Sequence, residues 1–224
     1  MNSEQMWVKT ELHCHTVYSR DSSNRLSRLI QFAHEIGIQR LAITDHNTIS
    51  GALKAKEMDP DLIIIGEEIR TTRGELIAYY VDEQIPSGLS PMDAIERLKK
   101  QNALISVPHP FDRLRSGWMR IDLLEILPFV DAIEIFNSRC YTPSVNAAAQ
   151  VFASEKNISV TVGSDAHSLV ELGSATLLLP EFNSADELRR VLRQGIPSTR
   201  SLTTAEHFFS SASIFFSKIF SWNF

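Results

Sequence analysis

Apolar runs of strand length alternate with amphipathic stretches along most of the chain. The runs stand at 7–13 (WVKTELH), 40–44 (RLAIT), 61–69 (DLIIIGEEI), 75–81 (ELIAYYV), 103–107 (ALISV), 131–136 (DAIEIF), 158–163 (ISVTVG) and 175–179 (ATLLL). Between them, Leu26, Leu29, Ile30, Ala33 and Ile36 recur at helical spacing, and Gly37 follows as a stop. The segment SPMDAIERLKKQN opens with Ser90 as an N-cap and Pro91 at the first helical position. PSVNAAAQVFASEKN reads as a further helix, and NSADELRRVLRQG carries a capping box from Ser184 to Glu187 and a closing Gly195. Strand–helix alternation with short connections predicts an α/β fold on a parallel sheet, either open and doubly wound or closed into a barrel. No glycine-rich loop follows the first strand, which removes the main argument for a dinucleotide-binding fold.

Composition narrows the picture little. The chain has 224 residues, 43% of them hydrophobic and 22% charged, as in an ordinary globular protein. A formal net charge of -5 argues against a general polyanion-binding surface and permits a local basic pocket. Cys14 and Cys140 form no CxxC pair, so the expected setting is a reducing cytoplasm. No basic leader and no apolar run near the roughly 20 residues of a membrane span are seen, so a soluble protein without a membrane span is expected. Residues 205–224 differ in composition: Phe208, Phe209, Phe215, Phe216, Ile219, Phe220 and Trp222 give an apolar face at roughly helical spacing. A membrane-surface helix would be richer in Lys and Arg, so this tail is expected to be helical and to pack on the rest of the chain or on a second copy.

The chemistry follows the strands. His13, His15 and Asp21 come at or after the first, Asp45 and His46 after the second, and Glu67 and Glu68 on the third. His109 follows the fifth, and Asp165 and His167 follow the seventh. Five of the seven histidines occupy such positions; His34, within a helix, and His207 do not. In a parallel barrel these ends share one face, where active sites are built. Mixed imidazole and carboxylate shells hold borderline and hard divalent cations, and clustered carboxylates can bridge neighbouring ions. More than one metal is therefore expected. Asp45 reads either as a solvated turn residue or as a carboxylate orienting an imidazole. Of Glu67 and Glu68 only one can face the site, because strand residues alternate. Cys14, between two histidines, should face the other way. Arg20, Arg70, Arg73, Arg113, Arg115 and Arg139 fall in loops on the same face and suit an anionic ligand, phosphate above all. Arg113 and Arg139 flank the strongest motifs.

ELHCHTVYSRDS, ITDHNT, GEEI, PHPFDR and GSDAH, in this order, resemble the motifs of the PHP (polymerase and histidinol phosphatase) family, and most its small stand-alone metal-dependent phosphoesterases. The resemblance implies a distorted (βα)7 TIM-like barrel over about residues 1–200, with 201–224 as a separate tail, and two or three divalent ions (Mn, Zn or Fe) at the C-terminal ends of the strands. It assigns His13, His15, Glu68 and Asp165 to one ion, Glu68 and His109 to a second, and Asp21, His46 and His167 to a third. Some members place a further histidine near the end of the fourth strand; IAYYVDEQIP offers none, which leaves the second ion leaning on Glu68, His109 and water.

The expected function is hydrolysis of a phosphate ester by a metal-bridged hydroxide, with Glu68, Asp165 and His167 catalytic and Arg113, Arg115 and Arg139 on the substrate. A small phosphomonoester or nucleotide fits the acidic chain better than a polymer, with an RNA end as a further option. Two rivals are a non-catalytic metal-binding module that recruits a partner and an amidohydrolase-type C–N hydrolase. The latter often uses a strand-borne lysine, absent from these strand ends.

Overall fold

The computed structural model describes residues 5–220. In chain order the elements are β1 (Trp7–Cys14), α1 (Leu26–Glu35), β2 (Arg40–Ile43), α2 (Ser50–Met58), β3 (Ile63–Arg70), β4 (Glu75–Tyr79), α3 (Pro91–Lys100) and β5 (Leu104–Val107). They continue with α4 (Arg120–Ile126), β6 (Ala132–Asn137), α5 (Pro143–Lys156), β7 (Ser159–Gly163), β8 (Ala175–Pro180), α6 (Ala185–Val191), β9 (Ile196–Thr199) and α7 (Thr204–Phe220). Helix starts follow the local chemistry. Ser90 accepts from the Asp93 amide ahead of Pro91, and Ser184 accepts from the Glu187 amide while the Glu187 carboxylate takes the Asn183 amide.

The strands form one sheet in the order β7-β6-β5-β4-β3-β2-β1-β8-β9, curled into a distorted, nearly closed barrel. It is mixed, not parallel as the alternation predicts: β4 runs antiparallel to both β3 and β5. The physical reason is the connection. Residues 71–74 are too few for a crossover, which needs a dozen or more, so the chain turns back as a hairpin. The edge of β1 is divided. Its first half pairs antiparallel with β8, and its end meets the segment after β7 through Asp165 N to His13 O (2.9 Å) and His15 N to Ala166 O (2.9 Å).

Helices α1 and α2 bury Leu29, Ala33, Ala52 and Ala55 against Leu41, Ile43 and Ile63, and Cys14 lies in this layer, turned from its histidine neighbours. On the far side α3, α4 and α5 cover Leu76, Ala78, Ile105 and Val107. The alternate strand residues Ala42, Ile64, Ile77, Leu104 and Val162 join Leu177, Leu179 and Leu188 of β8 and α6 in a third cluster that fills the barrel floor. The tail packs on the loops of the barrel: ahead of α7, Leu202 N donates to Ser138 O, and within it Ser213 bonds Ser23 and the His207 ring stacks on Tyr141 at 4.2 Å. Phe208, Phe209 and Phe215 are exposed, and the side chains of Phe216, Ile219, Phe220 and Trp222 lie outside the described residues.

Candidate metal centre

Alternation along β1 sends Glu11, His13 and, just past the strand, His15 to one face. Both imidazoles are fully buried, and their Nε2 atoms address the same two carboxylates. His13 Nε2 stands 3.5 Å from Glu68 Oε2 and 3.5 Å from Asp165 Oδ1; His15 Nε2 stands 3.3 and 3.2 Å from the same atoms. The other ring nitrogens set the tautomers. His13 Nδ1 meets Glu134 Oε1 at 2.9 Å and His167 Nδ1 meets the Asp165 carbonyl at 2.7 Å, so in each case N–H donates and leaves the Nε2 lone pair for the site. His15 Nδ1 lies 3.3 Å from Ser19 Oγ, whose hydroxyl donates to Asp45 and therefore accepts from the ring. Asp45 is buried and also takes the amide and hydroxyl of Thr16, so it orients His15 through Ser19.

On β3, Glu68 turns inward and Glu67 outward, where its Oε2 accepts the Ile85 amide at 2.9 Å. Glu68 stands at the centre: besides His13 and His15 it reaches His46 Nδ1 at 3.0 Å and His109 Nε2 at 3.2 Å. Asp21 lies 3.4 Å from both His46 Nε2 and His167 Nε2. Asp165 and His109 adopt left-handed backbone angles (φ 55° and 26°), which points their side chains back into the barrel mouth. Gly163, just before, is required by contact: a Cβ there would sit 2.3 Å from Glu134 Oε1 and 2.4 Å from His13 Cβ.

All eight sequence-predicted ligands are thus brought together. Of the six arginines only Arg115 and Arg139 join them. Arg115 is drawn inward, donating to Asp165 Oδ2, Asp112 Oδ2 (3.0 Å) and Asn137 Oδ1 (3.1 Å). Arg139 lines the cavity beside Glu171. Arg113, preferred on sequence, is exposed and absent from the cavity wall, because the short 3-10 turn at 113–115 points it to solvent and Arg115 to the site. Arg20, Arg70 and Arg73 are also exposed, Arg73 pairing with Asp122 and Glu125.

Two residues escape the sequence reading. Glu134 of β6 bonds His13 through one oxygen and the His109 amide (2.9 Å) through the other. Its signal is an acid inside an apolar strand. Glu75 begins β4 and lines the cavity 3.9 Å from His109 Nε2, placed there because β4 is reversed.

Electrostatically, the cluster is a set of mutually dependent charges. Burial alone would neutralise Glu68 and Asp165, but His46 and His13 hold the first, and His13 and Arg115 the second, well below the usual carboxylate range. Against its own burial, His46 is raised to about 10 by Glu68 and Asp21. Burial and the neighbouring His15 lower His167 to about 4. Burial, and then the facing carboxylate of Glu68, raise Glu75 to about 7.

The donor set fits divalent ions. His13 Nε2, His15 Nε2 and Glu68 Oε2 are buried without a hydrogen-bond partner. The 3.5 and 3.3 Å spacings of the two nitrogens from Glu68 Oε2 match the ~3.3–3.6 Å between tetrahedral ligands at metal–ligand distances of about 2.0–2.2 Å. Among the described residues, the donor atoms of His15, His46 and His167 also lie within 4.8 Å of one another.

The sequence profile of the PHP domain matches residues 11–109, and that of the PHP-associated region matches residues 143–196. The uncharacterized protein MJ0417 of Methanocaldococcus jannaschii is 35% identical over 180 residues, covering 79% of this chain and 72% of that one. PsfC from Pseudomonas syringae superposes with a TM-score of 0.67 at 16% identity, covering 96% of this chain and 97% of that one. A candidate metal-dependent phosphoesterase from Bifidobacterium adolescentis gives 0.61 at 17% identity (84% and 96% covered). The lesion-specific endonuclease PfuEndoQ from Pyrococcus furiosus gives 0.62 at 17% identity, over 84% of this chain and 56% of its own length. With the ordered motifs and the barrel they build, these likenesses make the chain a member of the PHP family.

Proposed function

We propose that this protein is a metal-dependent phosphoesterase acting on a small phosphomonoester or nucleotide. The observation that carries the reading is the convergence of the buried, unpartnered His13 and His15 nitrogens on Glu68 and Asp165, which line one cavity with Arg139. In this reading His13, His15, Glu68 and Asp165 hold one divalent ion, Glu68 and His109 a second, and Asp21, His46 and His167 a third; Mn, Zn and Fe all suit such donors. Ions so held supply an activated water and charge neutralisation at the phosphoryl oxygens.

The chain's own groups do the rest. Glu134, Ser19 and the Asp165 carbonyl fix the ring tautomers so that each lone pair faces inward. Arg115 and Asn137 (3.2 Å) hold Asp165 Oδ2, leaving Oδ1 toward the histidines. Arg139 offers its guanidinium to the phosphoryl group. The cavity, about 230 Å³, holds the volume of roughly eight waters at ~30 Å³ each, which suits a terminal phosphoryl group with the rest of the substrate over the rim. No lysine lines it among the described residues, which disfavours C–N hydrolysis of the lysine-bridged kind.

Phosphate release is the test: 4-nitrophenyl phosphate, mononucleotides and bis(4-nitrophenyl) phosphate are offered to protein supplied with Mn, Zn or Fe. The reading expects release from monoesters that chelation abolishes. Folded, metal-loaded protein inert on every ester would overturn it.

A further inference from the structure

The two ends of the cluster differ in chemistry. One end gathers three imidazoles, His15, His46 and His167, with the half-exposed Asp21 beside them. The other end gathers Glu68, Glu75 and His109, whose donor atoms lie within 4.8 Å of one another. No expected ligand set includes Glu75, and without it this second end has one carboxylate and one imidazole.

Glu75 is built into position. Its backbone carbonyl accepts the Trp118 indole N–H at 2.9 Å, and Trp118 is buried. Gly74 lies flat on the same indole, so close that a Cβ there would stand 2.4 Å from the ring. The hairpin is closed by the Thr71 amide (2.9 Å) and hydroxyl (2.6 Å), both donating to Gly74 O. The side chain that results is 90% buried, lines the cavity, and has no hydrogen bond among the described residues. Its nearest polar neighbours are His109, at 3.9 Å, and the second carboxylate, Glu68. Two largely buried carboxylates aimed into one cavity repel unless a cation lies between them.

We propose that Glu75 is a metal ligand, and that Glu68, Glu75 and His109 form a carboxylate-rich position selective for a hard divalent ion such as Mn²⁺, in contrast to the imidazole-rich end. The inference rests on the metal-site reading above and extends it. Carboxylate oxygens favour Mn²⁺ and Mg²⁺, imidazoles favour Zn²⁺, so one cluster would carry two unlike ions. On an octahedral ion with ligands at ~2.1 Å, adjacent ligands stand ~3.0 Å and opposite ones ~4.2 Å apart, and the 3.2 and 3.9 Å separations of the His109 nitrogen from Glu68 and Glu75 each lie within ~0.3 Å of one of these values.

The experiment is metal content, measured by mass spectrometry after equilibrium dialysis against equimolar Mn²⁺ and Zn²⁺, for the wild type, Glu75→Gln and Glu75→His. The expected result is one equivalent of metal lost, as Mn²⁺, in Glu75→Gln. In Glu75→His the total is expected to be kept with Zn²⁺ replacing Mn²⁺. Wild-type metal content and Mn:Zn ratio in both variants would overturn the inference while leaving the metal site standing. No metal in the wild type would overturn both.

Discussion

Glu134 and His13 meet at 2.9 Å through Oε1 and Nδ1, while the second carboxylate oxygen of Glu134 takes the His109 amide. One buried acid thus orients the His13 ring and anchors the backbone of His109, and both of its oxygens must accept. An amide has one acceptor only. Glu134→Gln should therefore keep the fold and weaken metal binding by about 10–100-fold, the usual cost of losing a partner behind a ligand. Isothermal titration with Mn²⁺ or Zn²⁺ checks it; unchanged affinity would remove Glu134 from the site.

Arg139 and Arg113 separate substrate binding from surface charge. Arg139 lines the cavity, whereas Arg113 is exposed outside it. Loss of a charged hydrogen bond to phosphate costs about 1.5–3 kcal/mol, so Arg139→Ala should reduce kcat/KM on a phosphomonoester by roughly 10–100-fold. Arg113→Ala should change it by less than about twofold. Equal losses in steady-state assays of the two would contradict the assignment.

Much of this architecture is written locally in the chain. Strand runs, the Ser90 and Ser184 caps and the histidines after β1, β2, β5 and β7 all depend on near neighbours. The direction of β4 is non-local, yet the four residues between Arg70 and Glu75 already forbid a crossover. Overlooking that turn hides Glu75, because the sequence reading looks for ligands at the far end of the strand. Helix α2 is equally hard to see: it buries Gly51, Ala52 and Ala55, residues too small to mark an apolar face. Glu134 is legible only as an anomaly in AIEIF, and its partner His13 lies 121 residues away.

Glu67 gives a stability prediction with a definite sign. Burial raises its carboxyl to about 7, against the ordinary 4.5, and only the Ile85 amide opposes the rise. The folded chain therefore retains a proton that the unfolded chain gives up near 4.5, so this residue makes stability fall as pH rises from about 4.5 to 7. Glu67→Gln carries no ionisable group and should gain on the wild type across that window, by up to about 3 kcal/mol above it. Thermal unfolding at pH 4.5 and 8 measures the difference. A gain no larger at pH 8 than at pH 4.5 would mean that Glu67 is ionised at little cost.

Glu68 touches four imidazoles, more than any other acid of the cluster. The most direct measurement is therefore metal content together with Mn²⁺-dependent hydrolysis of 4-nitrophenyl phosphate, in the wild type and in Glu68→Gln. The account predicts at least two bound ions and metal-dependent turnover in the wild type. In the folded variant it predicts loss of metal and a fall in turnover of 10³-fold or more, about 4 kcal/mol of transition-state stabilisation. Full turnover in Glu68→Gln, or a wild type that binds no metal, would contradict it.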